Sequence, residues 1–363
     1  MSEHQFKPDL APPNMSVGFI GWFKKNLFSS WGNTILTLLI AYIIIPPIIS
    51  AFQWVVIDAD WIGNSREACT SDGACWVFVA DRFSQLIYGF YPHAERWRVN
   101  IVFVSFLLLI AALVYEKTPH KPKIAIFTLV IYPVIVFFLL IGDSFGLPKV
   151  ETHQWGGLML TLVLAITGIV AALPFGILLA LGRRSHMPIV RSFCTIYIEF
   201  WRAVPLITVL FMASVMLPLF VGSEVDFNKL LRAIIGIILF QSAYMAEVIR
   251  GGLQAIPKGQ YEAGEALCLT YWQSMGLVIL PQALKITIPS IVNTFISLFK
   301  DTSLVLIVGL FDLLAIGQSA LADPAWLGFS SEMYVFIAFV FWVFCFSMSR
   351  YSIYLEKKLH TGH

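Results

Sequence analysis

Six polar side chains in or beside strongly apolar stretches could contact a solute. They are Gln241, Tyr244, Asn293, Ser297, Lys300 and Asp301. A polar group among apolar residues must either bond a neighbouring helix or face a wet cavity. Both readings stay open for the uncharged residues of this set. Lys300 and Asp301 interrupt an apolar run, which indicates either a helix broken at a binding site or a simple helix end with its cap.

Two carboxylate–arginine pairs with a spacing of three residues are the next candidates. Glu199 precedes Arg202, and Glu247 precedes Arg250. Residues three apart share one face of a helix, so each pair predicts a local ion pair near a helix end. The second pair leads directly into a polar insert, which favours a coupling or structural role over contact with a ligand.

The sequence lacks a set of residues that could form an active site. The seven histidines lie in predicted tails or loops and have no zinc-ligand spacing: His4, His93, His120, His153, His186, His360 and His363. The sequence also lacks a Gly-x-Ser-x-Gly nucleophile elbow and a phosphate-binding loop. We therefore expect no enzyme activity, metal or cofactor in this chain, and any ATP that drives it would bind another chain.

Composition places the chain in a membrane. Hydrophobic residues make up 58% of it and charged residues 13%, about half the charged fraction of soluble domains. Mean hydropathy is +0.79, and a net charge of +2 gives no sign of nucleic-acid binding. An all-α integral membrane fold is expected, with about eight spans at 31–52, 99–115, 123–142, 157–181, 196–221, 230–249, 282–299 and 333–353. The apolar stretch 303–317 is too short to cross comfortably and predicts a broken or re-entrant helix.

Cation-rich and cation-poor loops alternate along these spans, and this alternation predicts the orientation. Lys and Arg are frequent before the first span, between the second and third, between the fourth and fifth, and after the last. The loops 143–156 and 222–229 each hold one lysine. The loop 53–98 holds four arginines that six acidic residues outweigh. Both termini are therefore expected in the cytoplasm, with 53–98 outside and 250–272 inside.

The insert 250–272 is polar and rich in small residues. Pro257 suits a helix start, and Thr270 with Gln273 has capping-box spacing, so a second helix is expected to begin at Thr270. The small residues of the first helix would let another protein approach closely: Ala263, Gly264 and Ala266. We expect a short cytoplasmic docking helix. A connector lying on lipid headgroups is the alternative, although Lys258 is the only cation between Gly251 and Pro281.

Residues 262–281 resemble the EAA signature of ABC-importer permeases. The matching residues are Glu262, Ala263, Gly264, Cys268 and 278–281, where Gly264 stands for Ala, Cys268 for Gly and Val278 for Ile. If the family glycine adopts a positive φ, the side chain of Cys268 is strained. The phrases 243–252, 256–260 and 300–305 resemble the polar amino acid permeases. Over roughly residues 150–355 the chain is most similar to the M-type permease subunit of a general L-amino acid system.

This resemblance implies a domain plan and a set of coupling residues. A five-helix type I importer permease core would occupy 151–356 and carry the cytoplasmic coupling loop 250–272. An added three-helix module would occupy 31–150, after a cytoplasmic tail, 1–30. Contact with an ATPase through residues 257–268 would use Pro257, Lys258, Gly259, Tyr261, Glu262, Ala263, Gly264 and Cys268.

The resemblance also implies partners. They are a second homologous permease, two cytoplasmic ATP-binding subunits and a periplasmic amino acid-binding protein, assembled on a bacterial inner membrane. An amino acid zwitterion needs donors for its carboxylate and acceptors for its ammonium group, and uncharged amides and hydroxyls could supply both. The rival hypothesis is a stand-alone ion-coupled secondary transporter. That class is expected to have inverted repeats and a carboxylate at mid-membrane, whereas the acidic residues here lie near span ends.

Cys69 and Cys75 lie in the predicted outside loop. Their spacing permits a disulfide in an oxidising periplasm, and two unpaired thiols are the alternative.

Overall fold

A computed structural model describes residues 18–115, 117–143, 146–221 and 228–359. The chain forms two compact units, one ending at Val77 and the other beginning at Phe78. The division near residue 150, which rests on the family resemblance, stays a prediction.

The first unit carries one apolar span and a cross-linked loop. Helix α1 (Gly18–Asn26) precedes α2 (Trp31–Phe52), which continues as a π-helical turn to Ile57. Cys69 and Cys75 form a disulfide with their Cα atoms 5.5 Å apart. This answers the question that their spacing left open.

Asp60 organises the same loop. The backbone N–H of Ser71, the Ser71 hydroxyl and the backbone N–H of Thr70 all donate to its carboxylate, at 2.8–3.0 Å. Because these bonds favour the charged form, first among them the backbone bond from Ser71, the pKa of Asp60 lies below its ordinary value.

The second unit is a helix bundle. Its α-helices, beginning with one that starts at the unit boundary, are α3 (Trp76–Tyr88), α4 (Arg96–Val114), α5 (Lys121–Ile126), α6 (Tyr132–Ile141), α7 (Gly157–Arg183), α8 (Pro188–Ala203), α9 (Leu206–Phe211), α10 (Leu217–Val221), α11 (Lys229–Ala255), α12 (Lys258–Ala266), α13 (Tyr271–Ser274), α14 (Leu280–Asp301), α15 (Leu313–Leu321) and α16 (Ser330–Leu359). π-Helical turns join α5 to α6, α9 to α10 and α13 to α14. The only strand in the described ranges is β1, Phe311–Asp312.

Seven helices in the described ranges are long and apolar enough to span a membrane, or eight if one bent pair counts as a span. That pair corrects the straight span expected at 196–221. It starts at Pro188, and α8 and α9 meet at 103°. Pro205 explains the break, because proline disfavours helical conformation in the residue before it. Val204 accordingly has the extended angles φ −99° and ψ 134°.

The loop expected at 53–98 contains α3, which packs against the segment that follows α15 and against the start of α7. Phe78 stacks on Trp326 with ring centroids 5.1 Å apart, and Arg82 forms an ion pair with Asp323. Gly157 has φ +63°, and a Cβ there would lie 2.2 Å from the Leu86 carbonyl oxygen. Hence the chain from Phe78 onward is packed directly against the bundle that follows residue 156.

The expectation of a broken helix at 303–317 is confirmed. A 3₁₀ helix ends at Val308, Gly309 takes φ +75°, and β1 pairs with Gly156 and Gly157 before α15 begins. The buried carboxylate of Asp312 caps α15 by accepting hydrogen bonds from the backbone N–H groups of Leu314 and Ala315.

Candidate functional site: a surface helix and an interhelical charge network

Helix α12 lies in the predicted insert and is fixed to the bundle. It begins at Lys258, one residue after its N-cap Pro257. The Tyr261 hydroxyl donates to the Leu253 carbonyl at 3.0 Å. Arg184, at the end of α7, donates to the same carbonyl at 2.9 Å and to the Tyr261 hydroxyl at 3.0 Å. Movement of α12 would therefore be transmitted to the C-terminal ends of α7 and α11.

Most of the predicted coupling residues are exposed on and around α12. The exposed ones are Pro257, Lys258, Gly259, Glu262, Ala263 and Cys268, while Tyr261 is half-buried against the bundle. Gly264 is the exception to the expected open face of small residues, because it is buried. A Cβ at Gly264 would lie 2.6 Å from Ser274 Oγ, so the family's alanine would require the Ser274 side chain to rotate.

The end of α12 shows why Cys268 departs from the family pattern at a cost. Its φ is +55°. This is the positive φ at which a residue with a side chain is strained. Its N–H bonds the Glu265 carbonyl at 2.8 Å, and the Leu269 N–H bonds the Gly264 carbonyl at 3.1 Å. This pair of bonds forms a Schellman motif, in which glycine is the usual left-handed residue. A left-handed conformation costs about 1–2 kcal/mol for a residue with a side chain.

The second helix of the insert begins as predicted. The Thr270 N–H and hydroxyl both donate to Gln273 Oε1 at 2.9 Å, and a complete capping box starts α13 at Tyr271.

Glu247 is the centre of a charge network inside the bundle. Arg250 donates to its Oε2 at 2.8 and 3.0 Å, and Arg183 donates to its Oε1. Arg202 lies with Nη1 3.6 Å from Oε2. The predicted pair Glu247–Arg250 is thus present, but it belongs to a network that joins α7, α8 and α11.

The pair expected between Glu199 and Arg202 does not form. Glu199 Oε1 accepts from Arg183 at 2.8 Å instead. Arg202 turns towards Glu247, and its guanidinium lies 5.6 Å from the centre of the Tyr244 ring. Sequence reasoning treated Arg183 only as a loop cation. No local spacing could have revealed its role, because 64 residues separate it from Glu247.

The six predicted solute contacts differ in their exposure. Gln241 is 3% exposed, and its Nε2 donates to the Thr294 carbonyl at 2.9 Å. Its side chain therefore links α11 to α14. Asp301 is half-buried at the end of α14. The other four are exposed, with Tyr244 on α11 and three residues on one face of α14: Asn293, Ser297 and Lys300.

Comparison with known proteins decides the family. The profile described as binding-protein-dependent transport system inner membrane component matches residues 172–361. The chain belongs to this family. Members are permease subunits of ABC importers and not enzymes, since ATP is hydrolysed by a separate subunit. This chain is accordingly a multi-pass inner-membrane permease with the fold of a type I importer, and the secondary-transporter alternative finds no support.

Two relatives align over almost the whole chain. An inner membrane amino-acid ABC transporter permease protein of Escherichia coli K12, YhdY, is 59% identical, covering 98% of this chain and 96% of the relative. A glutamate/glutamine/aspartate/asparagine transport system permease protein of Rhodobacter capsulatus, BztC, is 39% identical over 98% and 97%.

A solved structure is similar to part of the chain. The crystal structure of an amino acid ABC transporter with histidines is 29% identical, with a TM-score of 0.50, and covers 56% of this chain and 92% of that one.

Proposed function

We propose that this permease forms half of the translocation path of an ATP-driven importer for L-amino acids. One observation carries the coupling part of this proposal. Helix α12 presents exposed residues to the surface while Arg184 and Tyr261 fix it to the bundle. The substrate class is supported by the two full-length relatives, both of which are named for amino acid transport.

The proposed cycle starts at α12. One of two cytoplasmic ATP-binding subunits docks on residues 257–268, and closure of the ATPase pair on ATP moves this helix. Arg184 and the Leu253 carbonyl pass the movement to α7 and α11, and the Glu247 network passes it to α8. The bundle then opens outward and takes up an amino acid from a periplasmic binding protein.

The exposed polar face of α14 supports a second permease as partner. Asn293, Ser297 and Lys300 lie on a helix within an apolar span. Facing lipid, these groups would be costly, so they are expected to face water or protein. A path shared with a homologous permease satisfies this condition. We assign this permease's half of the translocation path to the proposed core, residues 151–356, and place the 31–150 module outside the path.

The function is tested by uptake into proteoliposomes that contain the purified complex and its binding protein. ATP inside the vesicles is expected to drive uptake of at least one of the twenty L-amino acids, and a non-hydrolysable ATP analogue is expected to give none. Uptake driven by a proton or sodium gradient without ATP would refute the proposal.

A matched pair of substitutions separates the path from the packing. Asn293→Leu is expected to reduce uptake or alter selectivity without lowering the melting temperature of the complex, because Asn293 is exposed and its side chain bonds no residue in the described part of the chain. Gln241→Leu removes the bond to Thr294 and is expected to cost about 0.6–2 kcal/mol of stability. Uptake assays and thermal unfolding of both variants check this. Normal uptake by Asn293→Leu would remove α14 from the path.

The proposed orientation is tested by labelling. A cysteine at Asn64 is expected to react with an impermeant thiol reagent in intact cells, whereas one at Pro119 is expected to react only after lysis. Native Cys69 and Cys75 provide little background, since they are paired. The reverse pattern would show that the termini lie outside.

A further inference from the structure

The charge network contains one cation more than it contains anions. Three arginines meet two glutamates: Arg183, Arg202, Arg250, Glu199 and Glu247. Both oxygens of Glu247 already accept from Arg183 and Arg250. Arg202, at 3.6 Å from Glu247, lies beyond hydrogen-bonding distance. Within the described part of the chain, Arg202 therefore holds the network's surplus positive charge.

This surplus charge lies beside α11, a helix long and apolar enough to span a membrane, which continues to Ala255 beyond the span end expected at residue 249. Glu247 and Tyr244, which Arg202 contacts, lie eight and eleven residues before the end of α11 at Ala255, or about 12 and about 16 Å along the helix. A charge beside a membrane span is costly unless it meets a partner or a wet cavity, and the Arg202 side chain keeps 35% of its surface exposed.

A carboxylate that is partly exposed, that of Glu199, lies beside Arg202. Glu199 precedes Arg202 by three residues on α8, so the two side chains share one face, with Cβ atoms about 5–6 Å apart. The Glu199 side chain is 56% exposed, and its Oε1 accepts a hydrogen bond from Arg183. Among the described residues, none donates to Oε2 of Glu199. The face thus offers an exposed cation and an exposed anion that are not bonded to each other.

The geometry points to a zwitterion subsite at this face, with Arg202 donating to the carboxylate of an α-amino acid and Glu199 accepting from its ammonium group. An α-amino acid carries both charges on one carbon, so it fits between two groups one helical turn apart. The Tyr244 ring, whose centroid lies 4.9 Å from that of Phe240 and 5.6 Å from the Arg202 guanidinium, would support that guanidinium. This inference rests on the proposed function and adds the subsite that reads the amino acid backbone.

The test uses the purified nucleotide-free complex in nanodiscs without the binding protein. The probe is the radiolabelled L-amino acid taken up fastest, in competition with its α-amide, which lacks the carboxylate charge, and its N-acetyl derivative, which lacks the ammonium charge. Wild type is expected to prefer the parent over both analogues by about tenfold or more, the size expected for a charged hydrogen bond. Arg202→Gln is expected to lose discrimination against the amide, and Glu199→Gln against the N-acetyl derivative.

Two further variants keep the test decisive. Arg202→Lys retains the charge and is expected to keep part of the discrimination. Arg191→Gln removes an exposed arginine near the start of the same helix and is expected to bind as wild type does. Unchanged discrimination in Arg202→Gln, or no preference for the parent in wild type, would overturn the subsite. If wild type still shows ATP-driven uptake in that case, only this inference fails; absence of such uptake removes the proposed function itself.

Discussion

Replacing Ala263 with Trp is expected to abolish ATP-driven uptake while the protein still enters the membrane at its normal level. Ala263 is exposed on α12, where an indole would project into the surface proposed to meet the ATPase. The fold should tolerate the change because no described residue covers this position. Glu262→Lys, one residue earlier and also exposed, is expected to act in the same direction by reversing a charge in the interface.

Three measurements check this prediction: uptake into proteoliposomes, ATP hydrolysis by the complex and the amount of ATPase that copurifies. The matched control is Ala325→Trp, which places the same side chain on an exposed alanine outside the insert and is expected to leave all three unchanged. Wild-type uptake by Ala263→Trp would mean that α12 is not the docking helix, whatever its similarity to the family signature.

Glu247→Gln is expected to lower the free energy of unfolding by about 2–3 kcal/mol. Breaking a fully buried ion pair costs about 3–5 kcal/mol, because it leaves a charge without its partner. The Glu247 side chain is 15% exposed, which places the expected loss somewhat below that range. Three arginines would then be left with one carboxylate in the network, that of Glu199, so packing of α7 and α8 against α11 should weaken around Glu247.

Chemical or thermal unfolding of the solubilised complex measures this loss. Glu151→Gln is the control, since Glu151 pairs with Lys149 at 2.9 Å and both side chains are 52% exposed. Exposed pairs of this kind contribute little, and its unfolding midpoint should match that of the wild type. Equal midpoints for Glu247→Gln and the control would show that the network does not hold the three helices together.

These side chains form a continuous series of contacts from the surface helix α12 to the charge network around Glu247. The helix proposed to meet the ATPase is linked through Tyr261 and Arg184 to α7, and Arg183, the preceding residue, binds Glu247 and Glu199. Of these two adjacent arginines, Arg184 contacts the proposed coupling helix α12 and Arg183 contacts the charge network in the bundle. A movement of α12 can therefore pass to the proposed zwitterion subsite through two consecutive residues, Arg184 and Arg183.

The sequence alone predicted the features that depend on local composition. An all-helical membrane fold with about eight spans follows from apolar run length, because a helix satisfies its own backbone and needs only enough apolar residues to cross the bilayer. The capping box at Thr270 was equally legible, since it requires residues only three apart. The strain at Cys268, stated as a condition on φ, needed only the motif and the properties of glycine.

Only the tertiary structure decided which side chains meet. Gln241 was read as a path residue or a packing residue, and its bond to Thr294, 53 residues away, makes it part of the packing. Glu199 has a suitable arginine three residues away, yet it binds one that lies 16 residues earlier on another helix. Spacing fixes which residues share a helix face, but the packing of whole helices fixes what that face touches. That packing also leaves Arg202 3.6 Å from Glu247 and leaves Oε2 of Glu199 without a donor among the described residues.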